Sequence, residues 1–280
     1  MIDLQVETLI RYALAEDIGS GDVTTQAVIP VEASGRARII AKEPFIVAGC
    51  EVACRVFHLV DGRLEVAVSL ADGRRAHTGD MLMEVSGSLT AMLMAERTAV
   101  NFLQRLCGIA TLTRAFVERI AGTSSRIVDT RKTTPGWRVL EKAAVRAGGG
   151  FNHRLGLYDG VLIKDNHIAA VGGVREAVTA VRRKVPHTLK IEVEVETIEQ
   201  LDEAIAVGAD AVLLDNMEPP MMAEAVRRAG GRLLLEASGG VNLENVREIA
   251  GTGVDLISVG ALTHSARAVD ISMEVEPAAG

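Results

Sequence analysis

Aromatic side chains are scarce in this chain, at 3% of 280 residues with one tryptophan. Its interior must therefore be built mainly from Ala, Val, Leu and Ile, and no aromatic pair of the RNA-recognition kind is present to stack bases. Cysteine is as sparse. Cys50, Cys54 and Cys107 are odd in number and lack the paired spacing of a zinc ribbon or redox centre, so they read as buried free thiols acting as small hydrophobes. No apolar run reaches the roughly 18–20 residues of a membrane span, and MIDLQVETLIRYALAED has neither the basic start nor the apolar core of a secretion signal. Cytoplasmic location with no membrane partner is the expectation. Excess positive charge is missing too: a net charge of −7, a pI near 5.5 and the lack of a basic tail argue against nucleic acid as a partner. The motifs GxSxG and HExxH, a P-loop and a strand-linked GxGxxG are all absent, which argues against hydrolase, zincin, nucleotide-kinase and Rossmann dehydrogenase readings.

What the chain has is apolar mass, 48% of its residues, enough for one large α/β domain or a large and a small one. From about residue 126 a strand–helix rhythm sets in. Strand-like runs at 126–130, 160–164, 188–195, 211–216, 232–238 and 255–261 alternate with helical periods at 137–147, 173–184, 197–207, 219–229 and 242–250. Repeated βα units imply parallel strands with right-handed crossovers. Each run ends in charged or small residues, and a βα barrel gathers all such ends on one face, whereas an open doubly wound sheet has one crevice. The expected fold is α/β: an incomplete TIM-like βα barrel over 116–268. Before it, residues 1–115 read as a small α+β sandwich domain with a connecting helix. A helix at 3–15 precedes a turn-rich loop, strand-like runs at 35–42, 64–70 and 81–86, and a helical stretch at 90–121 whose Leu93, Val100, Leu103 and Leu106 suggest one buried face. Residues 269–280 are expected to return to the N-terminal domain, fraying after Ile271.

Residues 129–167 are locally positive on an acidic chain. Arg131, Lys132, Arg138, Lys142, Arg146, Arg154 and Lys164 stand there against four Asp/Glu, with His153 and His167 among them. Such a pocket attracts a small anion without making the whole surface sticky, so a polyanionic metabolite is the expected partner. Arg131 offers a planar fork for carboxylate or phosphate, and Lys132 a compact charge. The run Gly148-Gly149-Gly150 before Asn152, His153 and Arg154 permits close backbone approach, although a helix C-cap reads the same way. Lys164 closes an apolar strand. It suits either imine chemistry or anion binding, and its Arg and His neighbours favour the second. Glu194 and Asp215 end two strands and suit sugar hydroxyls, Mg²⁺ or a developing positive charge. Glu192, Glu194 and Glu196 share a face by alternation, so at least one of them can be simply solvated. Ser238-Gly239-Gly240 and Gly260 end the last two strands, where βα barrels seat phosphate on backbone N–H groups.

These residues occur in longer strings: EDIGSGDVTT (16–25), ERT (96–98), NFL (101–103), CGIAT (107–111), DTRKTTPG (129–136), GGGFNHRLGL (148–157), LIKDNH (162–167), LLDN (213–216), EASGG (236–240) and VGALTHS (259–265). In them the chain resembles the quinolinate phosphoribosyltransferases over nearly its whole length. The resemblance implies transfer of phosphoribose from phosphoribosyl pyrophosphate to quinolinate with decarboxylation, a step of NAD biosynthesis. It also implies Mg²⁺ and a homodimer with shared active sites. Carried over residue by residue, it implies that Arg131, His153, Arg154 and Lys164 grip quinolinate, with Arg97 arriving from the partner chain. Lys132, Glu194, Asp215, Ser238, Gly239, Gly240, Gly260 and His264 would surround the phosphoribosyl part. Lys132, Lys164, Glu194 and Asp215 are the catalytic candidates, with Glu194 and Asp215 also the candidate metal ligands. The chain departs from the usual family pattern at Trp137, Ala143 and Ala147, without loss of a charged group. Two rival readings carry less: the molybdenum-transport-associated relative of the same fold, and a non-catalytic phosphosugar sensor.

Overall fold

The computed structural model describes residues 4–278. The chain separates into two compact units, one of residues 1–114, 133–149 and 262–280, the other of residues 115–132 and 150–261. No helix among the described residues is long and apolar enough to cross a membrane.

The first unit begins with helices α1 (Leu4–Ile18) and α2 (Val23–Val28). Asp22 starts α2 by accepting the Thr24 and Thr25 N–H groups, the usual answer to donors left open at a helix start. Strands β1 (Ser34–Ala41), β3 (Glu65–Val68) and β5 (Met81–Ser88) follow, with the short pair β2 (Phe45–Ile46) and β4 (Arg75–Ala76) and helix α3 (Cys50–Val60) between them. The last strand, β12 (Ile271–Pro277), adds to this sheet in the order β12-β1-β5-β3. Ala37, Ile39 and Ala41 alternate inward along β1, and Ile39 sits in register with both Met83 and Met273. The fraying expected after Ile271 is thus corrected through Pro277: the backbone of 271–277 is spent on a ladder with β1. The rest of that expectation, at 279 and 280, lies outside the described residues.

Helix α4 (Leu89–Arg119) buries Val100, Leu103 and Leu106, while Leu93 is half-buried. Helix α5 (Arg138–Ala147), the one after DTRKTTPG, belongs to the first unit. Trp137, just before α5, is half-buried and stacks on Phe102 with ring centroids 4.6 Å apart. The cysteines are free, with Cys50 and Cys107 buried and Cys54 half-buried. Burial pushes the Cys107 thiol up to about 12, consistent with an inert core residue.

The second unit is built on β6 (Arg126–Val128), β7 (Val161–Ile163), β8 (Ile191–Val195), β9 (Ala211–Asp215), β10 (Leu234–Ser238) and β11 (Leu256–Ser258). These strands pair in the order β6-β11-β10-β9-β8-β7, all in parallel. The first and last strands of this unit, β6 and β11, are neighbours, as in a barrel. β6 and β7 are the two unjoined edges, and a bridge from Val128 to Phe151 extends the first of them.

Helices α6 (Asp165–Val171), α7 (Val174–Arg182), α8 (Ile198–Val207), α9 (Pro219–Ala229) and α10 (Val246–Gly251) connect the strands, and α11 (Ala261–His264) follows β11. Sequence periodicity misses α6. It is started by the Lys164 N–H donating to His167 Nδ1, a side-chain cap that has no hydrophobic period. The expected helix at 242–250 starts only at Val246, because Asn242 Oδ1 accepts the Glu244 and Asn245 N–H groups and holds those residues in a turn.

Candidate active site

At the carboxyl ends of the parallel strands lies a cavity of about 610 Å³. Of the residues singled out from the sequence, Arg131, Lys132, His153, Arg154, Lys164, Glu194, Asp215, Ser238, Gly239 and Gly240 line it. Each comes from the end of β6, β7, β8, β9 or β10 or from the segment 150–160, so residues up to about a hundred positions apart meet because parallel strands share a direction. Gly260, Arg97 and His264 are not among the lining residues. Arg97 and His264 belong to the first unit, where the Arg97 side chain is 57% exposed and 3.8 Å from Glu96, and the exposed His264 places Nδ1 2.6 Å from Ser265 Oγ.

The floor of the site is organised by Asp129, wholly buried at the end of β6. Its carboxylate accepts the Asn152 amide at 2.6 Å and the His153 N–H at 2.9 Å, which fixes the start of the loop carrying Arg154. Arg154 donates from Nη1 to Gly160 O at 3.0 Å. Burial first, then the nearby Arg131 guanidinium, lowers its pKa from the ordinary arginine value, the expected result when cations are gathered with few anions between them. Lys164 Nζ lies 2.9 Å from Glu194 Oε2, and this ion pair is open to solvent on the lysine side. Both ring nitrogens of His153 are engaged. Nδ1 accepts the Arg154 N–H at 2.7 Å, and Nε2 faces Glu192 Oε2 at 3.0 Å and Glu236 Oε2 at 3.6 Å. In this arrangement the ring steadies Arg154 from below.

The far wall depends on glycine for a steric reason. Asn216, the one non-glycine residue with positive φ among the described residues, donates its N–H to Ser238 O. A Cβ on Gly239, itself at φ +97°, would lie 2.1 Å from Asn216 Oδ1. Only glycine lets the Asp215-Asn216 and Ser238-Gly239 corners approach this closely. With four Lys/Arg side chains against Glu194, Asp215 and Glu236 on the lining, the cavity suits an anionic ligand.

Sequence reasoning assigned no site role to Thr130, Asn216, Glu236 and Ser258, which also line the cavity, or to Asp129 and Glu192 beneath it. The available signal was a charged residue at an inward register position of a barrel strand. Of the three glutamates, Glu192 on β8 is buried, Glu194 on β8 intermediate and Glu196, just past the strand, exposed, so the solvated member is the last.

Comparison with known proteins shows the family. Residues 22–107 match the family model of the quinolinate phosphoribosyl transferase N-terminal domain, and residues 109–274 match that of the C-terminal domain. The chain belongs to the quinolinate phosphoribosyltransferase family. It is 46% identical to the probable nicotinate-nucleotide pyrophosphorylase [carboxylating] of Bacillus subtilis, over 98% of this chain and 95% of that protein. Identity to the Mycobacterium leprae nicotinate-nucleotide pyrophosphorylase [carboxylating] is 47%, over 95% of each. The crystal structure of NadC from Streptococcus pyogenes superposes with a TM-score of 0.96 at 39% identity over the whole of both chains.

Proposed function

We propose that this chain transfers phosphoribose from phosphoribosyl pyrophosphate to the ring nitrogen of quinolinate and releases CO₂, giving nicotinate mononucleotide and pyrophosphate for NAD biosynthesis. The observation that carries the reading is the convergence of Arg131, Lys132, Arg154 and Lys164 with Glu194 and Asp215 on one cavity. Two polyanions must be brought together against their mutual repulsion, and a cluster of fixed cations supplies the compensating charge.

Arg131 and Arg154 suit the two carboxylates of the pyridine, each through a planar fork. Ser238, Gly239 and Gly240 suit the 5-phosphate, since a glycine turn exposes backbone N–H donors. Lys164 exchanges its contact with Glu194 for a substrate anion, which frees Glu194 to face the ribose. When the bond from C1 to pyrophosphate breaks, positive charge grows on the sugar, and Glu194 and Asp215 are the carboxylates available to steady it while Lys132 holds the leaving group. The pyridine nitrogen then bonds to C1 and becomes positively charged. That charge stabilises the electron pair left at the neighbouring carbon as CO₂ departs, and a proton replaces the lost carboxylate. No covalent nucleophile is needed.

The donor set also fits Mg²⁺. The two carboxylates of Glu194 and Asp215 are hard oxygen ligands, and magnesium is commonly held by one or two such groups together with substrate phosphates. Bound there, it would supply neutralisation of the pyrophosphate. The reading includes a cytoplasmic homodimer whose sites are shared, Arg97 being the residue offered to the partner chain.

The test is incubation of the purified chain with Mg²⁺, phosphoribosyl pyrophosphate and quinolinate, scoring nicotinate mononucleotide and CO₂, with nicotinate in place of quinolinate as control. Equal product from nicotinate, or none from quinolinate, overturns the assignment.

A further inference from the structure

Glu236 is the one carboxylate among the described residues that is buried with neither oxygen hydrogen-bonded. Its side chain is 1% exposed, yet it borders the cavity at the carboxyl ends of the strands. The groups that face it are Glu192 from β8, His153 from the loop that also carries Arg154, Asp129 at the end of β6 and Ser258 on β11. The register places the apolar Leu213 of β9 and Leu256 of β11 beside it. Ser258 lies near enough to oppose part of the rise in the Glu236 pKa, but its single hydroxyl proton is directed to Ala237 O at 3.3 Å, and His153 Nε2 is closer to Glu192 than to Glu236. Two buried carboxylates thus share one imidazole N–H, and leaving the second of them charged is costly unless a cation or a proton joins it.

A cation is the weaker answer. His153, Glu192 and Glu236 could offer ligand atoms within 4.8 Å of one another. The Nδ1 lone pair of His153, however, already accepts the Arg154 N–H, so a metal on Nε2 would require the ring to lose its only N–H proton. A proton needs no such change. A second cavity of about 340 Å³, reaching the amino ends of β6, β9 and β11 at Arg126, Ala211 and Leu256, meets the first at His153, Arg154 and Glu236 and offers a route from solvent.

We propose that Glu236 is a positioning residue that takes up one solvent proton when anionic substrate binds, so that a neutral acid under His153 and Arg154 replaces a buried negative charge. The inference rests on the reading that the cavity receives quinolinate. Burial, then the Glu192 charge, pushes the Glu236 carboxyl up to about 7, which puts the change in the working range. Ionised Glu236 opposes a dicarboxylate above it, and by linkage the dicarboxylate favours the protonated form.

Two measurements test this. Calorimetric titration of the wild-type chain with quinolinate at pH 7.5, in buffers of different ionisation enthalpy, is expected to show net proton uptake, and Glu236→Gln is expected to show none. In steady state, the KM for quinolinate is expected to rise about five-fold between pH 7 and pH 8 with kcat changing less than two-fold, and Glu236→Gln is expected to flatten the rise in KM. Buffer-independent heat in the wild type, or an unchanged KM profile in the variant, overturns the proposal. So does one equivalent of metal in the purified wild type that is lost in Glu236→Gln. Quinolinate that binds and turns over without proton uptake sinks this inference alone. A wild-type chain that neither binds nor converts quinolinate removes the functional reading and this inference with it.

Discussion

Two glutamates, one in each unit, are almost completely buried and live in opposite surroundings. Glu141 in the first unit is 0% exposed and fully satisfied: Arg105 Nη2 donates at 3.1 Å, the Thr134 hydroxyl at 2.9 Å and the Thr134 N–H at 3.1 Å. Arg105 in turn donates to the carbonyls of Thr263 and Ala266. One carboxylate thereby ties α4, the loop after DTRK, α5 and the chain before β12 together. Glu236 in the second unit is equally buried and neither of its oxygens is hydrogen-bonded, His153 Nε2 standing 3.6 Å away. A buried polar group that is paired stabilises a structure, while one left unpaired costs stability and is kept where something other than stability selects it. The contrast separates a part of the molecule built to hold from a part built to respond.

Four experiments break or sharpen that contrast, beginning with the largest effect. Replacing Arg154 or Lys132 with Ala is expected to lower turnover by roughly 10²–10³-fold, the scale of losing one preorganised electrostatic contact, with the melting temperature close to wild type. Steady-state kinetics beside a thermal melt decide it, and unchanged turnover would remove that residue from the site. Glu141→Ala reverses the pattern. It leaves Arg105 without its carboxylate and is expected to cost about 3–5 kcal/mol of stability, read by denaturant unfolding. Third, Gly239→Ala sets a methyl against Asn216 at a positive φ and is expected to cost about 1–3 kcal/mol and to weaken phosphoribosyl pyrophosphate binding. A variant with wild-type melting and KM would show that the corner yields.

The fourth experiment concerns pH. The Glu236 carboxyl is raised from its ordinary 4.5 to about 7 in the fold, so its contribution to stability is whole below 4.5 and is lost as pH rises through about 7. The wild-type melting temperature should carry that decline, and Glu236→Gln should lose it. Parallel slopes for the two proteins would mean that some other group titrates.

Most of the architecture was legible because periodicity is a local property. Runs such as 211–216 and 232–238 announce strands by composition, and their polar ends announce a shared mouth. The cap that starts α6 was hidden, since a histidine ring accepting a backbone N–H three residues back leaves no periodic trace. The return of the C-terminal segment to the first domain was expected, but its pairing as a strand with β1 was hidden because its partner lies more than two hundred residues earlier. The cations of the site were visible by type and spacing. Asp129, Glu192 and Glu236 were not singled out, because a carboxylate at a strand end looks the same whether it meets water, lysine or another carboxylate.

The order of residues alone therefore determined the alternation of strands and helices, the run of cations on an acidic chain and the motif strings that place it in its family, all of which depend on neighbours within a few positions. Only the tertiary structure decided which carboxylate is paired with Lys164, which is satisfied by Arg105 and which is buried without a donor. Burial and partnership arise from strands and helices distant in the chain, and these set the energy of a charge more strongly than its own chemistry does.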